Sequence, residues 1–446
     1  MTAVIGVLNK TAVAVAADSA VTIGHNQKIL NTANKLFTLS KYHPVGIVIY
    51  NSASFVSIPW EVLIKEYRRQ RGTVPQDKLE GYAIDFVHYV KESVGLISEP
   101  AQKEVVCAAA SKLFRLLSQE VRAQIGTLLK ELPLGERTTE RVDALAGALL
   151  PQAVTAKAIQ YDGNNAAQLE DQELQDYSLT DFLAFYEEPL ARTWQQELGS
   201  FPASEAVRAE AFGLLHRYFK TQNFELSSSA WSGIGIIGYG DKEIYPGCHM
   251  LHIAEVIGGR VRVKKQESES CQVDDLNNSA ILPFAQRDVM EGFLSGVRPN
   301  LAAVYNNTFS RLLGGVNVEL AGFMQTLAAQ LPPGTPLPPL QLNVQQLVGN
   351  FTQSIQSVQN EKIILPMLES VQGLSKDDLA EMAESLIHLT YLHRRINSEP
   401  ESVGGPIDVA VISKGDGFIW IKRKFYFRPE LNPGFVQNYF TSRLEE

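Results

Sequence analysis

Cysteine is scarce: Cys107, Cys248 and Cys271 are the only three in 446 residues. An odd, widely spaced set excludes a disulfide framework and points to free thiols in a reducing compartment. Runs of Lys and Arg are also missing. The chain carries 49 acidic against 40 basic residues, a net charge of -9, which argues against nucleic acid or an anionic membrane as partner. Long apolar stretches are lacking too. VGIVIY at 45–50 is strand-sized and far too short to cross a bilayer. No basic segment followed by a long apolar one opens the sequence, so no secretory leader is expected and the cytoplasm is the expected location.

What is present is core material. Hydrophobic residues make up 45% and charged residues 20%, the balance of a globular chain. A length of 446 residues exceeds what one compact core usually holds, so two domains or one core with large insertions is expected.

The first 60 residues read as strands: AVIGVL (3–8), AVAVAA (12–17), KLFTLS (35–40) and VGIVIYN (45–51), followed by a helix from Ile58 to Arg69. From Gly72 to Phe224 the pattern is helical, with Phe114, Leu117, Val121, Ile125 and Leu128 on one face. Acidic residues dominate 170–197, which reads as a solvated helix face. Strands return over 228–265, and a helical tract resumes near Phe284. That tract is broken by the Pro-rich QLPPGTPLPPLQLN (330–343), a loop or extended linker. Ser375 with Asp378 three residues on starts a further helix as a capping box. VGGPIDVAVISKGDGFIWIKR (403–423) reads as a strand pair. The expected divisions are therefore 1–71, a helical insertion at 72–224, and 225–446 with a helical and Pro-rich insertion at about 300–370. This order fits an α+β chain, a sheet sandwich flanked by helices with the long helical tract inserted between sheet halves.

Chemistry concentrates at the start. A Thr that becomes the N-terminal residue supplies a hydroxyl nucleophile and, in its own α-amine, a base whose ordinary pKa of about 7.7 to 8.0 suits neutral pH. Thr2 stands one residue behind Met1, and removal of Met before a small residue exposes it. Lys35 can hold the local potential positive and lower the pKa of both Thr2 groups, and Asp18 can pair with Lys35 and hold it in place. Taken singly these residues have plainer readings: Asp18 as a turn cap, Lys35 as a surface residue, Thr2 as a frayed end. Their joint spacing favours the catalytic one.

Thr2, Ala17-Asp18-Ser19, Thr22 and Lys35, together with GIGIIGYG (233–240) and GGPIDVAVISKGDG (404–417), resemble the proteasome β-subunit family of N-terminal nucleophile (Ntn) hydrolases. About a third of the chain carries the resemblance, and the long helical tracts have no counterpart in it. The resemblance implies a four-layer αββα sandwich with a large helical insertion, and threonine-type hydrolysis of an amide, a peptide bond first among them. It implies Thr2 as nucleophile and base, Asp18 and Lys35 as electrostatic support, and Thr22 as a binder of substrate backbone. Val21, Ala33, Phe37 and Val48 map to the family's primary specificity pocket, which would then be apolar. Tyr50 and Asn51 fall in the turn whose backbone N–H forms the oxyanion hole. The implied partners are a peptide or protein substrate and further copies of the chain, without nucleic acid, membrane, metal or organic cofactor. Two alternatives stay open: a catalytically inactive scaffold or assembly protein, and a small-amide hydrolase.

The sequence departs from the family at three points. Tyr50-Asn51-Ser52-Ala53 replaces a Gly-rich turn, and Ala285-Gln286-Arg287-Asp288 lacks a Ser expected near the nucleophile. Before Gly404-Gly405, only Glu399, Glu401 or Ser402 could stand in, with a shift, for an expected Asp and Ser. Two other patterns are weak. Gly233, Gly235 and Gly238 match GxGxxG but sit in a strand-like run, where close sheet packing explains them better than a nucleotide. Cys248, His249 and His252 lack a second pair of metal ligands.

Overall fold

The computed structural model describes residues 3–23, 28–30, 33–163, 166–227, 231–285, 287–332, 340–396, 404–425, 427–434 and 437, without the side chains of 21–23, 28–30 and 429. The chain opens with strands β1 (Val4–Asn9), β2 (Val13–Ala17), β3 (Val21–Ile23), β4 (Lys28–Leu30), β5 (Leu36–Thr38) and β6 (Val45–Asn51). The short β7 (Ser54–Phe55) and β8 (Ile58–Pro59) lead into α1 (Trp60–Arg71). Helices α2 (Leu79–Glu92), α3 (Glu99–Glu131), α4 (Thr139–Gln160), α5 (Gln172–Gln175), α6 (Leu179–Leu198) and α7 (Glu205–Lys220) follow. Strands return as β9 (Ser232–Gly238), β10 (Gly247–Ile257), β11 (Arg260–Lys265), β12 (Cys271–Gln272) and β13 (Ser279–Ala285). The last part holds α8 (Arg287–Ser295), α9 (Pro299–Gln330), α10 (Val344–Gln359), α11 (Leu365–Gln372), α12 (Lys376–Ile396), β14 (Asp408–Ser413) and β15 (Gly417–Lys422).

These elements form two compact units, neither of which follows the expected boundaries at 71/72 and 224/225. The first comprises Met1–Ala33, Val273–Val411 and Ile419–Glu446, the second Asn34–Gln272 and Ile412–Phe418. The physical reason is strand pairing. Strands β6 and β9 flank the helical tract yet are hydrogen-bonded neighbours, from Val45↔Gly238 to Asn51↔Ser232, so sheet and tract stay in one unit.

In the first unit the sheet runs β13-β1-β2-β14-β15. Ala3, Ile5, Val7, Ala12, Ala14, Ala16, Val409 and Val411 share a core with Leu379, Ala383, Leu386 and Ile387 of α12. The alternation is the two-residue period of a strand, and the run of alanines lets the helix lie close. The intervening Val4, Leu8, Val13, Val15 and Ala17 are buried as well, so β1 and β2 are dry on both faces. The Ser375 capping box forms: its hydroxyl accepts the Asp378 N–H, and the Asp378 carboxylate accepts both the Ser375 hydroxyl and N–H. Strand β13 corrects the expectation of a helix resuming near Phe284. It pairs with β1 through Ala285, and Pro283 is tolerated because β13 is an edge strand.

In the second unit the sheet runs β11-β10-β9-β6-β5. Ile47, Ile49, Ile234, Ile236, Leu251 and Ile253 pack against Trp60, Leu63 and Ile64 of α1 and Tyr82, Phe86 and Val90 of α2. Helices α3, α4, α6 and α7 build a separate aromatic-rich core around Phe114, Phe182, Tyr186, Trp194, Phe212 and Tyr218. Arg262 of β11, fully buried, ties that bundle to the sheet. Its guanidinium donates to the carbonyls of Tyr218 (3.1 Å), Thr221 (2.8 Å) and Asn223, to Ser227 Oγ (3.2 Å) and to the equally buried Glu255 (3.4 Å). It also lies over the rings of Tyr218 and Phe224.

The chain is thus a mixed helical and antiparallel-sheet protein. Among the described residues no helix is long and apolar enough to cross a membrane.

Candidate active site

Thr2 lies outside the described residues, but its neighbour is fixed. Strand β2 ends at Ala17, and the next residue, Asp18, closes the pairing with β1 in both directions. The Asp18 N–H donates to the Ala3 carbonyl (3.0 Å), and the Ala3 N–H donates to Asp18 Oδ1 (2.8 Å). Oδ2 accepts the N–H groups of Ala20 (3.2 Å) and Gly404 (3.1 Å). At 1% exposure, this carboxylate holds three backbone donors from three separate segments. Charge-assisted bonds of this kind are the stronger class. Ser19 stitches the same place together, its N–H donating to the Gly404 carbonyl (3.2 Å) and its hydroxyl to that of Pro406. The chain can turn there because Gly405 adopts φ +77°. Glu399, Glu401 and Ser402, the alternatives expected before this glycine pair, lie outside the described residues, as does Gln286. Arg287 and Asp288 begin α8.

Val21 and Thr22 lie in β3, across from Leu30 and Ile29 of β4; their side chains are outside the description. Ala33 is half-buried, and its N–H donates to the Ser19 carbonyl (3.1 Å).

The remaining expected residues belong to the second unit. Lys35 precedes β5 and is only 3% exposed, so a surface-lysine reading does not hold. Its carbonyl accepts the Ile49 N–H (2.8 Å). Phe37 and Val48 do not come together. Phe37 stands opposite Ile47 and packs with it into the core beneath α1 and α2. Val48 stands opposite Leu36, on the other face. A register difference of one residue reverses a strand's faces, so these two cannot line one wall of a specificity pocket.

Strand β6 ends in a left-handed residue. Asn51 has φ +67°, a conformation that Gly takes freely and Asn tolerates better than most residues. Its side-chain amide donates to the Trp231 carbonyl (2.7 Å). The turn is thus made without glycine, by one Asn that reaches the left-handed region and is anchored there.

Sequence reasoning missed the surroundings of Tyr50. Its hydroxyl lies 3.1 Å from His252 Nε2 and donates to Glu269 (3.2 Å), and its ring meets Trp231 edge-on. The His252 ring stacks on Trp231 with centroids 4.3 Å apart. The signal was the glycine run. A Cβ on Gly233 would sit 2.0 Å from the Tyr50 ring, and one on Gly235 would sit 2.7 Å from Val48 and 2.8 Å from Met250. These glycines make room for large side chains on the neighbouring strands. Cys248 is fully buried in β10, and burial raises its thiol pKa; His249 is half-buried, and burial lowers its pKa. Among the described residues no group of three or more His, Cys, Asp or Glu is arranged to hold a metal ion. A surface cavity of about 450 Å³, bordered by Lys91, Asp171, Gln222 and Lys264, includes none of the expected site residues.

No family model matches the chain, and no curated protein matches it. Likenesses to solved structures are weak, as two of them show. Anbu, an ancestral beta-subunit from Yersinia bercovieri, is 8% identical over 99% of this chain and 97% of its own, with a TM-score of 0.26. A Gly-1 mutant of Anbu from Hyphomicrobium sp. strain MC1 is 7% identical over 100% and 98%, with a TM-score of 0.24. Likeness at this level assigns neither fold nor activity.

Proposed function

We propose that the chain is a threonine-type Ntn hydrolase of the proteasome β-subunit kind, with the αββα arrangement that kind implies, cleaving amide and above all peptide bonds. The observation that carries this reading is the reciprocal clamp between Ala3 and Asp18, which fixes the residue after Thr2 to a buried carboxylate. Once Thr2 has a free α-amine, its hydroxyl attacks the substrate carbonyl while the amine takes the hydroxyl proton. The tetrahedral intermediate collapses to an ester on Thr2 as the proton passes to the leaving amine, and water then hydrolyses the ester. In this reading Lys35 holds the potential positive and Asp18 orients the N-terminal segment. In the same reading, and as the resemblance implies, the turn at Asn51 is the one that supplies the backbone N–H for the oxyanion.

The test is intact mass spectrometry before and after treatment with a peptide epoxyketone, which bonds to both a terminal hydroxyl and its α-amine. The expected result is loss of Met1 and one adduct, absent in Thr2→Ala. Retained Met1, or an adduct that survives Thr2→Ala, overturns the reading. A screen of peptides against small amides then separates a peptidase from a small-amide hydrolase.

A further inference from the structure

Helices α9 and α10 form an antiparallel hairpin within the first unit. Asn317 exchanges two hydrogen bonds with the backbone of Leu342 (2.7 and 3.0 Å), Phe309 stacks on Phe351, and Gln359 donates to the Ser295 carbonyl. The hairpin is unusual in what it leaves in water. No residue of either helix is buried, and Leu301, Val304, Tyr305, Leu312, Val316, Val318 and Phe323 of α9 are all exposed. Positions 302, 306, 309, 313, 317, 320 and 324 form the half-buried side of α9, at heptad spacing. Of the exposed apolar residues, Leu301, Tyr305, Leu312, Val316 and Phe323 form a stripe beside it, and Val304 and Val318 lie on the opposite flank of Gly315.

Charge identifies the occupant. Arg311 and Glu319 are the only charged residues from Pro299 to Gln359. Both are exposed, and among the described residues neither forms an ion pair within the chain. A strongly charged partner would bury its charges against an apolar, Asn- and Gln-rich surface with nothing to pair them. An anionic membrane surface would call for a polar face rich in Lys and Arg, which is absent. The two charges lie four residues to either side of Gly315. A two-fold axis through Gly315 between antiparallel copies of α9 therefore sets Arg311 of each copy against Glu319 of the other. The same operation sets Leu312 against Val318 and Thr308 against Gly322. Nothing lies within 4 Å of where a Cβ on Gly315 or Gly322 would be, so the helix axes are free to approach closely there.

We infer that the exposed face of α9 binds the same face of a second copy of this chain, antiparallel, about a two-fold axis at Gly315. The size suffices. The 32 residues of α9 span about 48 Å at the helical rise. A contact strip about 10 Å wide then gives roughly 1,000 Å² over both copies, where specific interfaces begin. The arrangement is isologous, as two-fold contacts must be.

The test is sedimentation velocity on the full chain with a crosslinking variant. Gly315→Cys should link two copies through residue 315 under mild oxidation, while the parent chain should not, since burial raises the thiol pKa of all three native cysteines. Arg311→Glu should weaken self-association roughly tenfold or more, and Arg311→Glu with Glu319→Arg should restore it. All these positions are solvent-facing, so circular dichroism should be unchanged. No Gly315→Cys crosslink, or failure of the double swap to rescue, overturns the proposal. Binding of the parent chain to phosphatidylcholine vesicles, lost in Val316→Glu and without crosslinking, would overturn it in favour of a lipid surface.

Discussion

Replacing Asp18 by Asn tests how firmly the chain start is held. The carboxylate accepts Ala3 N–H at one oxygen and the Ala20 and Gly404 N–H groups at the other. An amide has one acceptor oxygen and one NH2 donor, so it cannot satisfy both sides. If its oxygen faces Ala3, two N–H groups confront a donor; if it is flipped, Ala3 does. At least one buried amide N–H loses its acceptor, at about 1 to 3 kcal/mol, and the surviving bonds lose their charge assistance. The total is about 2 to 4 kcal/mol. For a unit of about 200 residues this corresponds to a fall in melting temperature of roughly 4 to 16 °C. Calorimetry measures the fall, and amide hydrogen exchange should locate it, with Ala3 and Gly404 losing protection before the α12 core. A variant within about 0.5 kcal/mol of the parent, with Gly404 still protected, would refute the reasoning.

Three other perturbations follow from the same physics. Arg262→Met leaves Glu255 buried without its cation and should cost about 3 to 5 kcal/mol in chemical denaturation, whereas Arg262→Met with Glu255→Met should recover much of that loss. Asn51→Gly should keep stability within about 1 kcal/mol, while Asn51→Val should cost about 1 to 3 kcal/mol at a φ of +67°; under the proposed function only the valine variant should also slow epoxyketone labelling markedly. His216 is held neutral by burial, which lowers its pKa below the ordinary value, while its ring lies 2.7 Å from the Tyr177 carbonyl. Its contribution is complete above the unfolded-state pKa of about 6.5 and is lost as pH falls towards the folded-state value. His216→Gln should therefore flatten the acid limb of a stability–pH profile below about 6.5.

Strands β1, β2 and β6 were legible because each is an uninterrupted run of β-branched and small residues closed by a turn. The same lack of interruption hid their faces: burial on both sides removes the polar alternation that would have shown whether Val48 or Ile47 accompanies Phe37. Pro283 disguised an edge strand as a helix approach. The Tyr50, His252 and Glu269 cluster assembles from β6, β10 and the segment before β12, so no local spacing announces it. Asp18 was visible as part of a spaced motif, but its hold on Gly404 spans 386 positions. Pairing at that range is set by the fold, not by any window of sequence.

The adjacency of β6 and β9 has a kinetic side. The Asn51 side chain bonds to a carbonyl 180 positions along the chain. Closing a loop of that length costs about 3 kcal/mol more than closing a five-residue hairpin. The helical tract between them has its own core, and a tract that condenses first hands the two strands to each other as near neighbours. The insertion would then act as an internal chaperone for the central strand pair, and trimming it should slow refolding more than it lowers equilibrium stability.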